Sequence, residues 1–157
     1  MSEPTALDRD LLKQAIALAD RCPFSPTAFA VGALIATSEG AVLGEGWSRK
    51  SDPHEHAEEA ALAAVADENR ALLKEATIYS SLEPCSTRAS RPVTCTQHIL
   101  NTGIPRIVYA WQEPPIFVDC VGAEILADAQ RDVIQIEDLA DLARKPNLHL
   151  FDEARDR

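Results

Sequence analysis

Three short segments of this sequence combine the side chains that bind zinc: His56-Ala57-Glu58, Pro84-Cys85 and Cys95. Protein zinc sites use nitrogen and sulfur ligands at tetrahedral angles, and a catalytic zinc keeps one position open for water. One imidazole and two thiolates supply three ligands, so we predict one zinc per chain on His56, Cys85 and Cys95. Glu58, two residues after His56, can reach over such a metal without binding it.

The expected surroundings of these side chains favour the same chemistry. His56 falls in the first turn of a predicted helix, and Cys85 follows a strand and a proline, where a helix N-terminus commonly begins. The free N–H groups and the dipole of such a terminus stabilise a thiolate over a thiol. Glu59 lacks the His-x-Glu spacing and is predicted to be a structural or solvated acid, whose change to Gln has little effect.

The order His-x-Glu, then Pro-Cys and a later Cys, resembles the signature of zinc-dependent deaminases. The usual signature has two residues between its cysteines, whereas residues 86–94 separate Cys85 from Cys95 here. A loop at this place is typical of one branch, the pyrimidine deaminase of riboflavin biosynthesis. That branch is similar to this chain in the runs Ser81-Leu82-Glu83-Pro84-Cys85-Ser86 and Arg91-Pro92-Val93-Thr94-Cys95.

The resemblance extends over roughly residues 10–136. Ser25-Pro26 with Val31-Gly32-Ala33 looks like an early family motif, and two later runs, 103–108 and 110–114, look like its G-x-x-R-V-V and A-x-x-D-P patterns. Two places depart from the family. Thr27 or Ala28 stands near an expected asparagine, and Thr87-Arg88-Ala89-Ser90 replaces loop histidines in a loop that is one residue longer.

The resemblance implies a single α/β domain, a three-layer α/β/α sandwich of the cytidine deaminase type with a central mixed sheet. It implies hydrolysis of an exocyclic amine of a small aminopyrimidine to a carbonyl, with ammonia release and Glu58 moving the proton. The implied substrate is a riboflavin-type diaminopyrimidine, which carries a ribosyl phosphate in that family. Candidate substrate contacts are Thr27, Ala57, Ser81, Arg88 and Arg91, and Arg91 matches the arginine of the family's loop.

Other interpretations stay open. A cytidine or other free nucleoside or nucleobase deaminase is the main alternative, although the short Cys-x-x-Cys of that branch is absent. A tRNA adenosine deaminase is weaker for the same reason. From other classes, the chain could be a non-catalytic zinc-stabilised binding module or a thiol redox protein. Cys22 and Cys120 match no motif and are predicted to be buried side chains. His54 is predicted to lie at the pocket mouth.

The elements that must position these residues follow from periodicity and breaker residues. Asp8 is expected to cap the first helix, and Gly103 to end the helix that begins at Cys95. The predicted helices are 8–21, 56–75, 95–102, 122–129 and 138–144, and the predicted strands are 30–37, 41–47, 77–82, 106–111 and 133–136.

Length and charge limit the remaining possibilities. The chain has 157 residues, 46% of them hydrophobic and 25% charged, which fits one globular domain over 1–157 with frayed ends at 1–7 and 152–157. A net charge of −10 argues against nucleic-acid or anionic-membrane partners. With no signal or membrane segment at its start, the chain is expected in the cytoplasm, where thiols stay reduced. The apolar run 111–118, together with the family resemblance, predicts a homodimer or homotetramer.

Overall fold

The computed structural model of the chain describes residues 2–88, 91–114 and 120–156, and describes residues 152–156 by their backbone alone. Within these residues a five-stranded sheet has the order β2-β1-β3-β4-β5. Its strands are β1 (Gly32–Ala36), β2 (Val42–Trp47), β3 (Thr77–Leu82), β4 (Arg106–Trp111) and β5 (Asp132–Gln135). β1 is antiparallel to β2 and β3, whereas β3, β4 and β5 are parallel, so the sheet is mixed as predicted.

Helices cover both faces of the sheet and confirm the predicted three layers. Ile78 and Tyr79, neighbours on β3, belong to two separate apolar clusters, as expected where side chains alternate across a sheet. One cluster includes residues of α1 and α5, and the other includes residues of α2, α3 and α4. The helices are α1 (Ala6–Leu18), α2 (Ala57–Ala63), α3 (Cys95–Thr102), α4 (Gly122–Asp128) and α5 (Ala140–Arg144), with 3₁₀ segments at Ala19–Arg21, Asp67–Glu75, Glu137–Leu139 and Lys145–Asp156.

The start of the chain differs from the prediction. Thr5, not Asp8, caps α1, and Asp8 closes a capping box by accepting a hydrogen bond from the Thr5 N–H at 2.8 Å. Asp8 lies inside α1, and its carboxylate also accepts hydrogen bonds from Arg106 and Tyr79. Ser2 donates two hydrogen bonds to Asp132 at the start of β5. Fraying at 1–7 and at 152–157 stays a prediction.

The predicted helix over 56–75 is divided in two. α2 ends at Ala63, and Ala66 has an extended backbone before the 3₁₀ segment Asp67–Glu75 begins. Arg70 contacts the end of α2, where its guanidinium donates to the Leu62 carbonyl at 3.1 Å beside the backbone N–H of Val65, which donates to the same oxygen. The bounds of β3, α3 and β4 agree with the predicted ones. Across the described residues, the helices are too short or too polar to cross a membrane.

α2 lies unusually close to the edge strand β2. A Cβ atom on Gly46 would stand 2.3 Å from the Ala61 nitrogen and 2.6 Å from the Ala57 oxygen. Only glycine permits this approach, and the alanines of α2 supply the small facing surface. The contact fixes the helix whose first turn contains Glu58 and whose N-cap is His56.

Candidate functional site

His56, Cys85 and Cys95 are brought together from three places in the fold. His56 is the N-cap of α2, Cys85 follows β3, and Cys95 is the first residue of α3. Their ligand atoms lie within 4.8 Å of one another. Nδ1 of His56 is 3.3 Å from Sγ of Cys95 and 3.6 Å from Sγ of Cys85. A tetrahedral zinc with ordinary bond lengths separates its nitrogen and sulfur ligands by about 3.6 Å. The three side chains therefore fit a zinc ion.

α3 begins at Cys95 as predicted, whereas the helix start expected near Cys85 is absent from the described residues 84–88. Cys85 occupies a loop, and the backbone N–H of Cys95 donates to its sulfur at 3.2 Å. The N–H and hydroxyl of Thr96 both donate to the Cys85 carbonyl. The N-terminus of α3 thus contacts Cys85. The helix dipole, which favours a thiolate, acts on a cysteine that lies ten residues before the helix.

The two thiols differ in acidity because of this contact. Hydrogen bonds from Cys95, together with the nearby His56, lower the pKa of Cys85 against the opposing effect of burial. The hydrogen bond to Cys85, followed by burial, raises the pKa of Cys95 well above its usual range. Binding of a metal requires both sulfurs as thiolates and therefore releases a proton.

Glu58 lies beside the metal ligands and is only 4% exposed. Burial, and next the charge of Cys85, raise the pKa of the Glu58 carboxyl. Oε2 of Glu58 is 3.0 Å from the hydroxyl of Ser80 on β3, a contact that no sequence motif indicated. A buried carboxyl with a raised pKa at this position can take up and release a proton.

A cavity of about 540 Å³ opens in front of Glu58 and the ligands. This volume is in the range of small-molecule sites. Thr27, Ala57 and Arg88 line the cavity, as their predicted role as substrate contacts requires, and His54 lines it from an exposed position. The remaining walls include Ala28, Phe29, Val31, Ser48, Arg49, Glu55, Leu82, Glu83, Thr87 and Glu113.

Ser81 and Arg91, also predicted to contact substrate, are not among the residues that line this cavity. Ser81 is 1% exposed, and its hydroxyl accepts a hydrogen bond from the Gly32 N–H, which joins β1 to β3. Arg91 donates to both oxygens of Asp52 and lines a neighbouring depression. Arg91 matched the family pattern by its place before Pro92, but its ion pair with Asp52 directs the guanidinium away from the cavity.

Arg49 and Glu113 are among the cavity residues that the sequence analysis did not single out. Arg49 donates to the carbonyl oxygens of Phe29 and Pro23. Glu113 is half-buried, and burial, together with the charges of Cys85 and Glu58, raises its pKa to about 7. The signal for Glu113 was present, because it occupies the acidic position of the A-x-x-D-P pattern. Arg49 belongs to a polar loop with no motif of its own.

Cys22 and Cys120 are half-buried and not fully buried as predicted, and they, His98 and His149 each contact another residue of the chain. The thiols of Cys22 and Cys120 donate to the carbonyls of Val31 and Pro84, and burial raises the pKa of both. His98 contacts Glu59, and His149 contacts the Ser25 carbonyl.

Comparison with known sequences is consistent with this geometry. A family model described as the cytidine and deoxycytidylate deaminase zinc-binding region matches residues 5–111. The diaminohydroxyphosphoribosylamino-pyrimidine deaminase of Schizosaccharomyces pombe is 35% identical over 127 residues, which are 80% of this chain and 31% of that protein. The riboflavin biosynthesis protein RibD of Aquifex aeolicus is 34% identical over 128 residues, 81% of this chain and 34% of its own length. The chain thus spans about a third of these curated relatives.

Solved structures share the fold. RibD of Acinetobacter baumannii superposes with a TM-score of 0.77 at 30% identity, covering 94% of this chain and 41% of that one. The Rib2 deaminase of Aspergillus oryzae in complex with DARIPP gives a TM-score of 0.71 at 20% identity, covering 97% of this chain and 100% of that one. The second likeness supports the architecture alone.

Proposed function

Because the chain belongs to the cytidine and deoxycytidylate deaminase zinc-binding family, we propose that it hydrolyses the exocyclic amine of a diaminopyrimidine of riboflavin biosynthesis. The observation that carries this proposal is the buried Glu58 carboxyl beside His56, Cys85 and Cys95, at the wall of a cavity of about 540 Å³. The curated relatives named for this chemistry support the choice of substrate.

The proposed mechanism assigns one task to each group. His56, Cys85 and Cys95 would hold the zinc, which supplies a water molecule with a pKa near 7. Glu58 takes the proton of that water as its oxygen attacks the ring carbon bearing the amine. Glu58 then delivers this first proton to the ring nitrogen. It next takes the second proton from the new hydroxyl and passes it to the amine, which leaves as ammonia while a carbonyl remains. Exclusion of water by the cavity strengthens these electrostatic contacts.

The rest of the cavity supports recognition of a pyrimidine with a phosphate. Glu113 offers a carboxyl to the amino and ring N–H groups of a base. Arg49 is the better candidate for the phosphate, because among the described residues no carboxylate lies within 4.0 Å of its guanidinium. Arg88 is neutralised by Glu59 at 3.0 Å. Arg49 therefore replaces Arg91 as the proposed phosphate contact.

Substitution of Glu58 by Gln tests the proposal. The near-isosteric amide cannot carry the proton, so turnover is expected to fall by roughly 10²- to 10⁴-fold while zinc and folding are retained. Ammonia release is measured on a panel of diaminopyrimidines, cytidine and other nucleosides, with and without phosphate. Wild-type turnover in Glu58→Gln would contradict the mechanism. Preference for cytidine would favour the alternative deaminase, and a zinc-loaded chain without turnover would favour a binding module.

We further propose that the active form is a homodimer or homotetramer in the cytoplasm. The apolar run that suggested self-association includes residues 115–119, which lie outside the described residues. Trp111, at its start, packs edge-to-face on Phe29 within the same chain. Val121, the N-cap of α4, and Ile125 within α4 remain 43% and 38% exposed and offer an apolar face for a second copy. The four cysteines are free thiols, as suits a reducing compartment.

A further inference from the structure

Glu59 follows Glu58 directly in α2, and its carboxylate contacts each segment that contains a metal ligand. Oε1 accepts a hydrogen bond from the His56 backbone N–H at 3.0 Å and lies 3.0 Å from Nη1 of Arg88 in the loop between the cysteines. Oε2 lies 3.2 Å from Nε2 of His98, one turn after Cys95 in α3. The contacts of Glu59 are therefore at most three residues from each metal ligand.

Arg88 extends this connection to the loop before His56. Its Nη2 donates to the His54 carbonyl at 2.8 Å, and its Nη1 donates to the Val93 carbonyl at 3.2 Å. The side chain of Arg88 is 3% exposed and that of Glu59 is 12% exposed. A planar guanidinium can make these contacts at once because its donors point in fixed directions. One buried ion pair thus joins the loops that hold all three ligands.

We propose that Glu59 and Arg88 are positioning residues, whose pair holds these loops in the arrangement that retains the metal and closes the cavity wall. The inference rests on the proposed function for the identity of the metal. A buried ion pair is worth little as a source of stability, but loss of one partner removes the counter-charge of the other. Without Glu59, the Arg88 guanidinium is more stable when turned toward water, and the segment that follows Cys85 loses its connection to α2.

The test compares zinc release to a chelator from Glu59→Gln, Arg88→Met and the double variant. Each single variant is expected to release zinc about 10- to 100-fold faster than the wild type, the effect of removing outer partners of metal ligands. Asp138→Asn is the matched control, because it removes a carboxylate from an exposed pair with Arg9 at 2.7 Å far from the site. Wild-type release from either single variant would overturn the proposal.

The double variant separates positioning from simple stability. It leaves no buried charge unpaired, so its melting temperature is expected to recover relative to the single variants. Zinc release is expected to stay as fast as in the single variants, because nothing joins the loops. Recovery of zinc retention together with stability would overturn the proposal. These measurements need no substrate, so a failure of the proposed deaminase activity would be recognised separately by the absence of ammonia release from the zinc-loaded wild type.

Discussion

At the scale of single residues, the chemistry depends on a small set of side chains that differ in what surrounds them. Glu58 and Glu59 are adjacent carboxylates whose pKa values shift in opposite directions. Burial and Cys85 raise the pKa of Glu58, whereas hydrogen bonds from His56 and Arg88 outweigh burial and lower the pKa of Glu59. The helix turns them to different sides, so one faces the cavity as a proton carrier and the other faces the loops as a fixed anion.

Removal of a single thiol should remove the metal. Cys95→Ala deletes a ligand and the partner of Cys85, so bound zinc is expected to fall from about one per chain to nearly none. Elemental analysis of purified protein measures this. Cys120→Ala is the control, because its sulfur donates to the Pro84 carbonyl and lies outside the ligand cluster. Full zinc content in Cys95→Ala would show that another side chain is the ligand.

Substitutions of Arg49 and of Arg91 should have different effects on the kinetics. Arg49→Gln is expected to raise KM for a phosphorylated substrate by roughly tenfold or more, the effect of one lost charge-assisted contact. The same change should have little effect on the dephosphorylated substrate. Arg91→Gln, which alters a guanidinium already paired with Asp52, should change the ratio of the two KM values much less. A larger change of this ratio in Arg91→Gln would restore the prediction made from the loop motif.

At the scale of elements, docking of α1 depends on one buried carboxylate. Asp8 is 2% exposed, receives two hydrogen bonds from Arg106 at 2.7 and 2.6 Å, and accepts a third from the Tyr79 hydroxyl at 2.8 Å. Burial alone would raise the pKa of Asp8, but the bonds from Arg106, Thr5 and Tyr79 lower it below its usual range. These contacts attach α1 to β3 and β4 on the face opposite the metal ligands.

This arrangement makes a prediction about stability and pH. The folded pKa of Asp8 is below the unfolded value of about 3.9, so its stabilisation is complete above that pH and declines as pH falls toward the folded pKa. Asp8→Asn should lower the free energy of unfolding by about 3 kcal/mol at pH 7, and by less at pH 3. Denaturant titrations at both pH values measure the difference. The exposed pair of Asp138 with Arg9 should contribute much less than Asp8 because solvent screens it, and an equal loss in Asp138→Asn would contradict the role of burial.

At the scale of the whole molecule, the structure favours a small substrate. The net charge of −10 opposes a polynucleotide, and the cavity is bounded by the loops before His56 and after Cys85. Assembly remains to be measured. Light scattering at micromolar concentration is expected to give at least twice the chain mass of 17.1 kDa. A single species with the mass of one chain would refute self-association. The exposed face of α4 would then not bind a second copy of the chain.

The sequence alone determined the parts that depend on residue type and local order. The donors that zinc accepts and the order His-x-Glu and Pro-Cys indicated His56, Glu58 and Cys85, and the resemblance of the following loop to one branch of the family indicated Cys95. β3, α3 and β4 follow from apolar periodicity with Gly103 and Pro84 as limits. Such features are set within a few residues, so no knowledge of distant contacts is needed.

Only the tertiary structure decided where the long polar side chains go. Arg88 and Arg91 were both predicted to contact substrate, and the family's loop favoured Arg91, yet Arg88 lines the cavity and Arg91 pairs with Asp52. Glu59 looked incidental, but three segments distant in sequence meet at its carboxylate. The direction of a guanidinium or carboxylate is chosen by partners that loops bring from elsewhere in the chain. Because those partners follow from the packing of α2 and α3 against the sheet, neither spacing nor composition could supply them.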